Sequence, residues 1–390
     1  MVSRNFTRFN IRQGLESAPI FMKQPHQNAK PSSSINRRES IQRCAAVGLS
    51  TLVSRSVLGD TKADRAPIRI GQIGVAHAHA SKLSVYRASN DYEVVGIVEP
   101  DEMLRQQAMS QETYRDLPWM TQEQLLNVAG LQAVLVETKV SQLLDTAEVC
   151  IKAGKHIHLD KPAGESLPHF ARIMEAAEKQ RLLVQMGYMY RYNPAVVLLR
   201  EFLKKSWLGD VFEVHAVMSK VVGQEDRRKL AEFPGGILFE LGGHILDLVI
   251  DVLGQPASVA SFAKHSSAID DNLLDNMLAV LSYPRAIASV KSSALEVEGG
   301  ARRHLTVCGT EGTFHIQPLD NPAATISLSK PRDGYKKGVQ EISFPKFVRY
   351  LADAADMASI LRGVKQSDFS YQHDMVVQST LLNACGRPLT

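Results

Sequence analysis

From residue 68 onward, short apolar runs alternate with amphipathic stretches. Arg69-Ile70-Gly71-Gln72-Ile73-Gly74 reads as a strand running into a turn, residues 78–89 as a helix, and residues 92–98 as a second strand ending in Glu99-Pro100-Asp101. A helix near 121–129 follows, then the wholly apolar strand 133–136 ending at Glu137-Thr138. A helix at 141–153, closed by Gly154, leads to a strand at 155–159 that ends at Asp160-Lys161-Pro162. Strands separated by helices predict a parallel sheet. After a helix at 194–205 the pattern changes. Residues 211–218, 258–263, 277–282, 286–293, 304–308, 313–317 and 325–328 read as strands joined mostly by turns. Such a run predicts an open, mainly antiparallel sheet. Residues 345–363 and 374–384 read as helices, and 219–233 and 329–339 as loops. The predicted fold is α/β: an N-terminal doubly wound parallel sheet at 66–186, then an α+β domain at 187–390, with 1–65 as leader and linker.

One stretch does not fit a plain core. In residues 235–254, at 100° per residue, Glu240, His244, Asp247 and Asp251 share a narrow stripe. Leu238, Leu241, Ile245, Leu248, Val249 and Val252 cover most of the remainder, which predicts a buried helix. Ionisable groups on a buried helix are costly unless they are paired or act on something. Glu240, His244 and Asp247 are therefore candidate catalytic residues, and Asp251, near the helix end, a local ion-pair partner.

Strand, turn, helix and strand with an acid at the end of the second strand form a dinucleotide-binding unit of Rossmann type. Glu99 lies 25 residues after Gly74. A carboxylate there accepts from ribose hydroxyls and repels a 2′-phosphate, which favours NAD over NADP. The glycine fingerprint is altered: Gly74-Val75-Ala76-His77-Ala78-His79 keeps its first glycine alone. Ala76 adds a methyl where backbone approaches a pyrophosphate. His77 and His79 either donate to phosphate or face the surface or the substrate. In parallel sheets ligands bind beyond the carboxyl ends of strands, and Gly74, Glu99, Thr138 and Lys161 all occupy such ends. Tyr190 and Arg191 follow the last strand of this domain. Arg191 either binds substrate hydroxyls or phosphate, or pins the domain junction.

Charge divides the chain. Its formal net charge is +4, yet residues 1–59 hold nine Lys/Arg and two acids, leaving 36 basic and 39 acidic residues in the rest. A mildly acidic body without a basic, aromatic-studded stripe argues against nucleic-acid binding. Asn36-Arg37-Arg38-Glu39-Ser40-Ile41 precedes a short apolar run at 44–58, the pattern of a twin-arginine (Tat) export signal. The run is too short to span a bilayer stably. The expected location is periplasmic by Tat export; if this stretch is only a disordered basic tail, it is cytoplasmic. Met22 is the expected start of translation. The four cysteines, Cys44, Cys150, Cys308 and Cys385, show no metal-binding spacing, so no metal is expected.

Several motifs in order resemble the glucose–fructose oxidoreductase / inositol dehydrogenase (Gfo/Idh/MocA) family. They are Ala153-Gly154-Lys155-His156-Ile157, Asp160-Lys161-Pro162, Tyr190-Arg191-Tyr192-Asn193-Pro194, Leu208-Gly209-Asp210-Val211, Gly235-Gly236 through Glu240, His244 and Asp247, and Cys308-Gly309-Thr310-Glu311-Gly312. The resemblance implies that Lys161 sits between nicotinamide and substrate, and that the C-terminal sheet makes homodimer or homotetramer contacts. Glu240 stands where the family usually has Asp, and Leu143 where many members have His. The expected activity is NAD-dependent oxidation of a sugar, inositol or related polyol. His244 would be the base, Lys161 would share the reacting oxygen's proton, Glu240 would orient the imidazole or bind a neighbouring hydroxyl, and Asp247 would fix the ring or the substrate. Two alternatives stand beside it: an NAD-dependent glycoside hydrolase on the same fold, and a non-catalytic sugar-binding member.

Overall fold

The computed structural model describes residues 66–232 and 235–389. The twin-arginine motif and the start at Met22 lie outside the described residues. The N-terminal sheet is built from β1 (Ile68–Ile73), β2 (Tyr92–Val98), β3 (Ala133–Val136), β4 (His156–Leu159) and β5 (Val184–Met186), in the order β2-β1-β3-β4-β5. Every pairing in it is parallel. The helices between these strands are α1 (Leu83–Ala88), α2 (Glu102–Met109), α3 (Gln122–Leu126), α4 (Leu143–Lys152) and α5 (Leu167–Gln180). All four residues of β3 are fully buried, as a central strand covered on both faces requires. Gly74 turns the chain after β1 with φ +93°; a Cβ there would lie 2.4 Å from the Thr138 backbone nitrogen. That close approach of two strand ends is why the one surviving glycine of the fingerprint is glycine.

The chain crosses to the second sheet through α6 (Pro194–Lys204). Asn193 caps it by accepting from the amides of Ala195 and Val196, and Pro194 takes the first helical position, where no donor is lost. The second sheet holds β6 (Val211–Val217), β7 (Ser258–Lys264), β8 (Asn276–Ser282), β9 (Ile287–Ser293), β10 (His304–Gly309), β11 (Gly312–Ile316), β12 (Ala323–Leu328) and β13 (Gly338–Ser343). Its order is β13-β12-β11-β10-β6-β9-β8-β7, antiparallel except where β6 runs parallel to β9. The mainly antiparallel expectation holds.

Two expected loops contain structure. Residues 219–233 include α7 (Gln224–Ala231), and 329–339 run into β13. Helix α7 buries Leu230 and Arg227, and Arg227 donates to Asp271 at 2.6 and 3.0 Å and to Asp275 at 2.9 Å.

The helix expected at 235–254 is not one continuous α-helix. Leu238–Gly242 form a π turn, and α8 (Gly243–Leu253) follows. The wider turn takes Glu240 out of the 100° periodicity, while His244, Asp247 and Asp251 keep it along α8. Helix α8 packs against β6 and against α10 (Tyr371–Ala384). Helix α9 (Leu351–Leu361) returns to the first sheet: Ala354, Met357 and Ala358 join Ile70, Tyr86, Tyr92 and Leu135 in one apolar cluster. The larger apolar cluster runs without interruption from Val134 and Leu159 to Ile245, Val290 and Phe314. This shared core fixes the carboxyl ends of β3 and β4 against the π turn and α8.

Candidate active site at the domain seam

Lys161 lies two residues after β4 and is 1 % exposed. Its Nζ donates to the Glu240 carbonyl at 2.7 Å and to Glu240 Oε1 at 3.3 Å. The π turn opens the helix where that carbonyl is needed as an acceptor, so the local irregularity and the contact are one feature. His244, a turn further on, is 1 % exposed, and its Nδ1 has no hydrogen-bond partner among the described residues. Burial depresses its pKa well below the ordinary value, and the charges on Lys161 and His79 add to that. The imidazole is therefore neutral at pH 7 and able to accept a proton. Burial would raise Glu240, but Lys161, His77 and His79 outweigh it and keep the carboxylate ionised. The rings of Tyr190 and Tyr188 stand 5.5 and 6.2 Å from that of His244, and His79 stands 5.9 Å away.

A buried charged cluster lies beneath this pair. Asp160 Oδ1 accepts from the Lys161 amide at 2.7 Å and meets His79 Nδ1 at 3.1 Å. Its Oδ2 accepts from Lys82 Nζ at 2.7 Å and meets His77 Nδ1 at 3.1 Å. Lys82 is 1 % exposed, reaches His158 Nε2 at 2.9 Å, and forms an ion pair with Glu137 Oε1 at 2.9 Å. Burial opposes the charge on Lys82, but Asp160 and Glu137 reverse the balance and raise it above its ordinary value. His158 donates from Nδ1 to Gln185 Oε1 at 2.9 Å, so it is the Nε2 lone pair that faces Lys82. Burial first and Lys82 second push His158 down to about 3. Tyr350 closes the site at left-handed φ +67°, its ring 5.9 Å from that of His79.

The expected site residues divide into two groups. Lys161, Glu240, His244, His77 and His79 meet at the seam. Asp247 and Arg191 do not join them. Arg191 donates to Asp247 at 2.6, 3.0 and 3.1 Å and also bonds Asp374, while His373 Nε2 lies 3.0 Å from Asp247. This corrects the placement of Asp247 beside the His244 ring: Asp247 follows His244 by three residues within α8, and its carboxylate is taken up by Arg191 and His373 at the junction rather than by that ring. Of the two readings of Arg191, the junction pin fits, because the side chain is 2 % exposed and paired with Asp247 and Asp374. Asp251 pairs with Arg200 at 2.6 Å, as a local partner should. Tyr190 Oη donates to Asp320 at 2.5 Å, and its ring lines His244. The sequence pattern passed over Lys82, Glu137, Asp160, His158 and Tyr350 as site residues. The useful signal was that Glu137 and Asp160 end adjacent strands.

Glu99 ends β2 and is 6 % exposed, with its oxygens held by the amides of Val75 at 2.9 Å and Asp101 at 3.0 Å. Each oxygen keeps a second lone pair for a ribose hydroxyl. In the altered turn, the His77 amide is spent on the Glu137 carbonyl and the His79 amide on His77 Nδ1. The amides of Ala76 and Ala78 make no hydrogen bond among the described residues, which leaves them for a pyrophosphate. The residues present thus fit a dinucleotide at the ribose and the strand ends, with fewer turn amides than the usual glycine fingerprint offers.

A parallel nucleotide sheet, an open second sheet and a lysine–imidazole pair between them define a two-domain oxidoreductase architecture. The chain belongs to the Gfo/Idh/MocA oxidoreductase family: residues 68–188 match its NAD-binding Rossmann fold and residues 196–315 its C-terminal domain. It is 24 % identical over 197 residues to trans-1,2-dihydrobenzene-1,2-diol dehydrogenase of Sus scrofa, covering 50 % of this chain and 57 % of that protein. It is 23 % identical over 217 residues to the scyllo-inositol 2-dehydrogenase (NADP(+)) of Bacillus subtilis, covering 54 % of this chain and 59 % of that one. The chain thus spans a little over half the length of these two relatives. An Agrobacterium radiobacter oxidoreductase in complex with NAD+, L-tartaric acid and magnesium shares the fold at TM-score 0.70, with 14 % identity over 82 % of this chain and 97 % of that one.

Proposed function

We propose that the protein is an NAD-dependent dehydrogenase that oxidises a secondary hydroxyl of a sugar, inositol or related polyol. The observation that carries this reading is the neutral, buried His244 with a free Nδ1, set beside Lys161 at a strand's carboxyl end. Bound NAD would supply the hydride acceptor. His244 Nδ1 takes the hydroxyl proton. Lys161 Nζ donates to the same oxygen and stabilises charge that develops on it. Glu240, from its carbonyl and Oε1, holds that ammonium in place. Tyr188 and Tyr190 wall the imidazole from solvent, which keeps it neutral. Glu99 would accept from the adenosine ribose and disfavour a 2′-phosphate, the basis for NAD rather than NADP.

His244→Ala and Lys161→Ala are each expected to lower turnover on a polyol by about 100-fold or more. Near-normal rates in both would overturn the mechanism. Net NADH formation separates this activity from the hydrolase alternative, which releases sugar with no net NADH. Phe212, Phe262, Leu278 and Ile287 expose apolar surface on the open sheet, and we assign that face to homo-oligomer contact, to be checked by light scattering on Ile287→Asp. Tat export remains our proposal for location; a mature N-terminus inside residues 1–30 of the native protein would sink it.

A further inference from the structure

We propose that His77 Nδ1, His79 Nδ1 and one oxygen of Asp160 bind a divalent transition-metal ion of the zinc, iron(II) or cobalt(II) kind. These three donor atoms lie within 4.8 Å of one another. The two imidazole nitrogens each stand 3.1 Å from a different oxygen of Asp160. An ion about 2.0–2.2 Å from each ligand separates tetrahedral neighbours by roughly 3.3–3.6 Å, so the observed spacing accepts one with small adjustment. Two imidazoles and a carboxylate suit these metals better than magnesium or calcium, which favour all-oxygen sets.

Hydrogen bonding prepares the ligands. His77 Nε2 lies 3.1 Å from the Lys161 carbonyl, which can only accept, so the ring carries a proton at Nε2. Its Nδ1 accepts from the His79 amide at 3.3 Å. That single lone pair is engaged only by this long hydrogen bond, which a metal ion would replace, and the Asp160 oxygen facing it presents another. Two acceptors at 3.1 Å want a cation between them. The other grouping of similar make-up, Asp247, His373 and Asp374, already holds its cation in the guanidinium of Arg191. A further buried polar atom without a partner adjoins the site: His244 Nδ1, on the ring 5.9 Å from that of His79. Asp160 lies 81 residues from His79, which is why no metal-ligand spacing appears along the chain.

The metal is a property of the fold and does not require the dehydrogenase reading. Its test uses neither substrate nor NAD. Protein stripped with a chelator is titrated with cobalt(II), and visible d–d absorption and bound cobalt are measured for wild type, His79→Gly and His77→Ala. We expect one cobalt per chain with a visible band. Loss of one ligand should weaken binding by about tenfold or more. His79→Gly restores the residue usual in a glycine fingerprint and removes a side chain that is 15 % exposed, so it tests the site even where His77→Ala fails to fold. Wild-type protein of native circular dichroism that takes up no cobalt would overturn the proposal, since the cation is then a proton on an imidazole. Equal affinity in wild type and His79→Gly would overturn it as well.

Discussion

His158 makes stability depend on pH between about 3 and 6.5. It is fully buried, accepts from Lys82 and titrates at about 3 in the folded chain, against about 6.5 unfolded. The depressed folded value means that between these limits the unfolded chain binds a proton the folded chain refuses. Stability is therefore full above about pH 6.5 and falls as pH drops towards 3. At about 1.4 kcal/mol per pH unit, the loss from pH 7.5 to 5.0 is about 2 kcal/mol from this residue alone. Asp353, which burial raises to about 7, changes stability in the opposite sense across the same window, and comparing wild type with a His158 variant cancels it. With roughly 2.1 cal/mol/K of unfolding entropy per residue over residues 63–390, 2 kcal/mol corresponds to about 3 °C in Tm. The assay is thermal or urea unfolding at pH 5.0 and 7.5 for wild type and His158→Gln. The variant loses the acceptor for Lys82 and starts less stable, so the quantity compared is the difference between the two pH values. That difference should shrink by about 2 kcal/mol. Equal pH dependence in the two proteins would refute a neutral, buried His158.

Asp247→Ala leaves Arg191 buried with Asp374 alone and should lower stability by about 3 kcal/mol, read as a drop in Tm. A variant that melts normally yet loses turnover would return Asp247 to the catalytic group. Gly74→Ala combines left-handed strain with a Cβ 2.4 Å from the Thr138 nitrogen, and the ends of β1 and β3 must part to admit it. A loss of about 3–5 kcal/mol is expected, with weaker NAD binding by calorimetry; unchanged affinity would show that the turn lies apart from the nucleotide.

The elements legible in the sequence were those whose burial leaves a one-dimensional trace. Strand β3 reads at once because Ala133–Val136 is buried on both faces, and α6 because Asn193 and Pro194 mark its start. Strand β13 does not, since Gly338–Ser343 alternates between half-buried and exposed residues at a sheet edge and carries no strong apolar run. Helix α7 is polar almost throughout and is held by Arg227, whose partners Asp271 and Asp275 come 44 and 48 residues later. In the site, Glu240 and His244 were visible because polar residues stood out on an apolar helix, and Lys161 because it lies at the end of a parallel strand and within a family motif. Asp247 stood out on the same helix, yet it pairs with Arg191 and His373, partners 56 and 126 residues away that periodicity cannot register.

The altered phosphate turn and the buried cluster are best understood together. Ala76 and His79 each depart from glycine, and a turn that served only to admit a pyrophosphate would gain nothing from a bulky ring at the second of these positions. The ring is not idle. It turns inward to Asp160, whose other contacts are the Lys161 amide, Lys82 and His77. Asp160 thus ties the turn after β1 to the residue that bonds Glu240 across the domain seam. Buried charges assembled from α1's lead-in, β3 and β4 oppose folding unless they are matched, and apolar residues of similar volume would cost less. Their concentration at strand carboxyl ends, against the neutral His244 and beside the strained Tyr350, fits selection for chemistry at the seam rather than for stability.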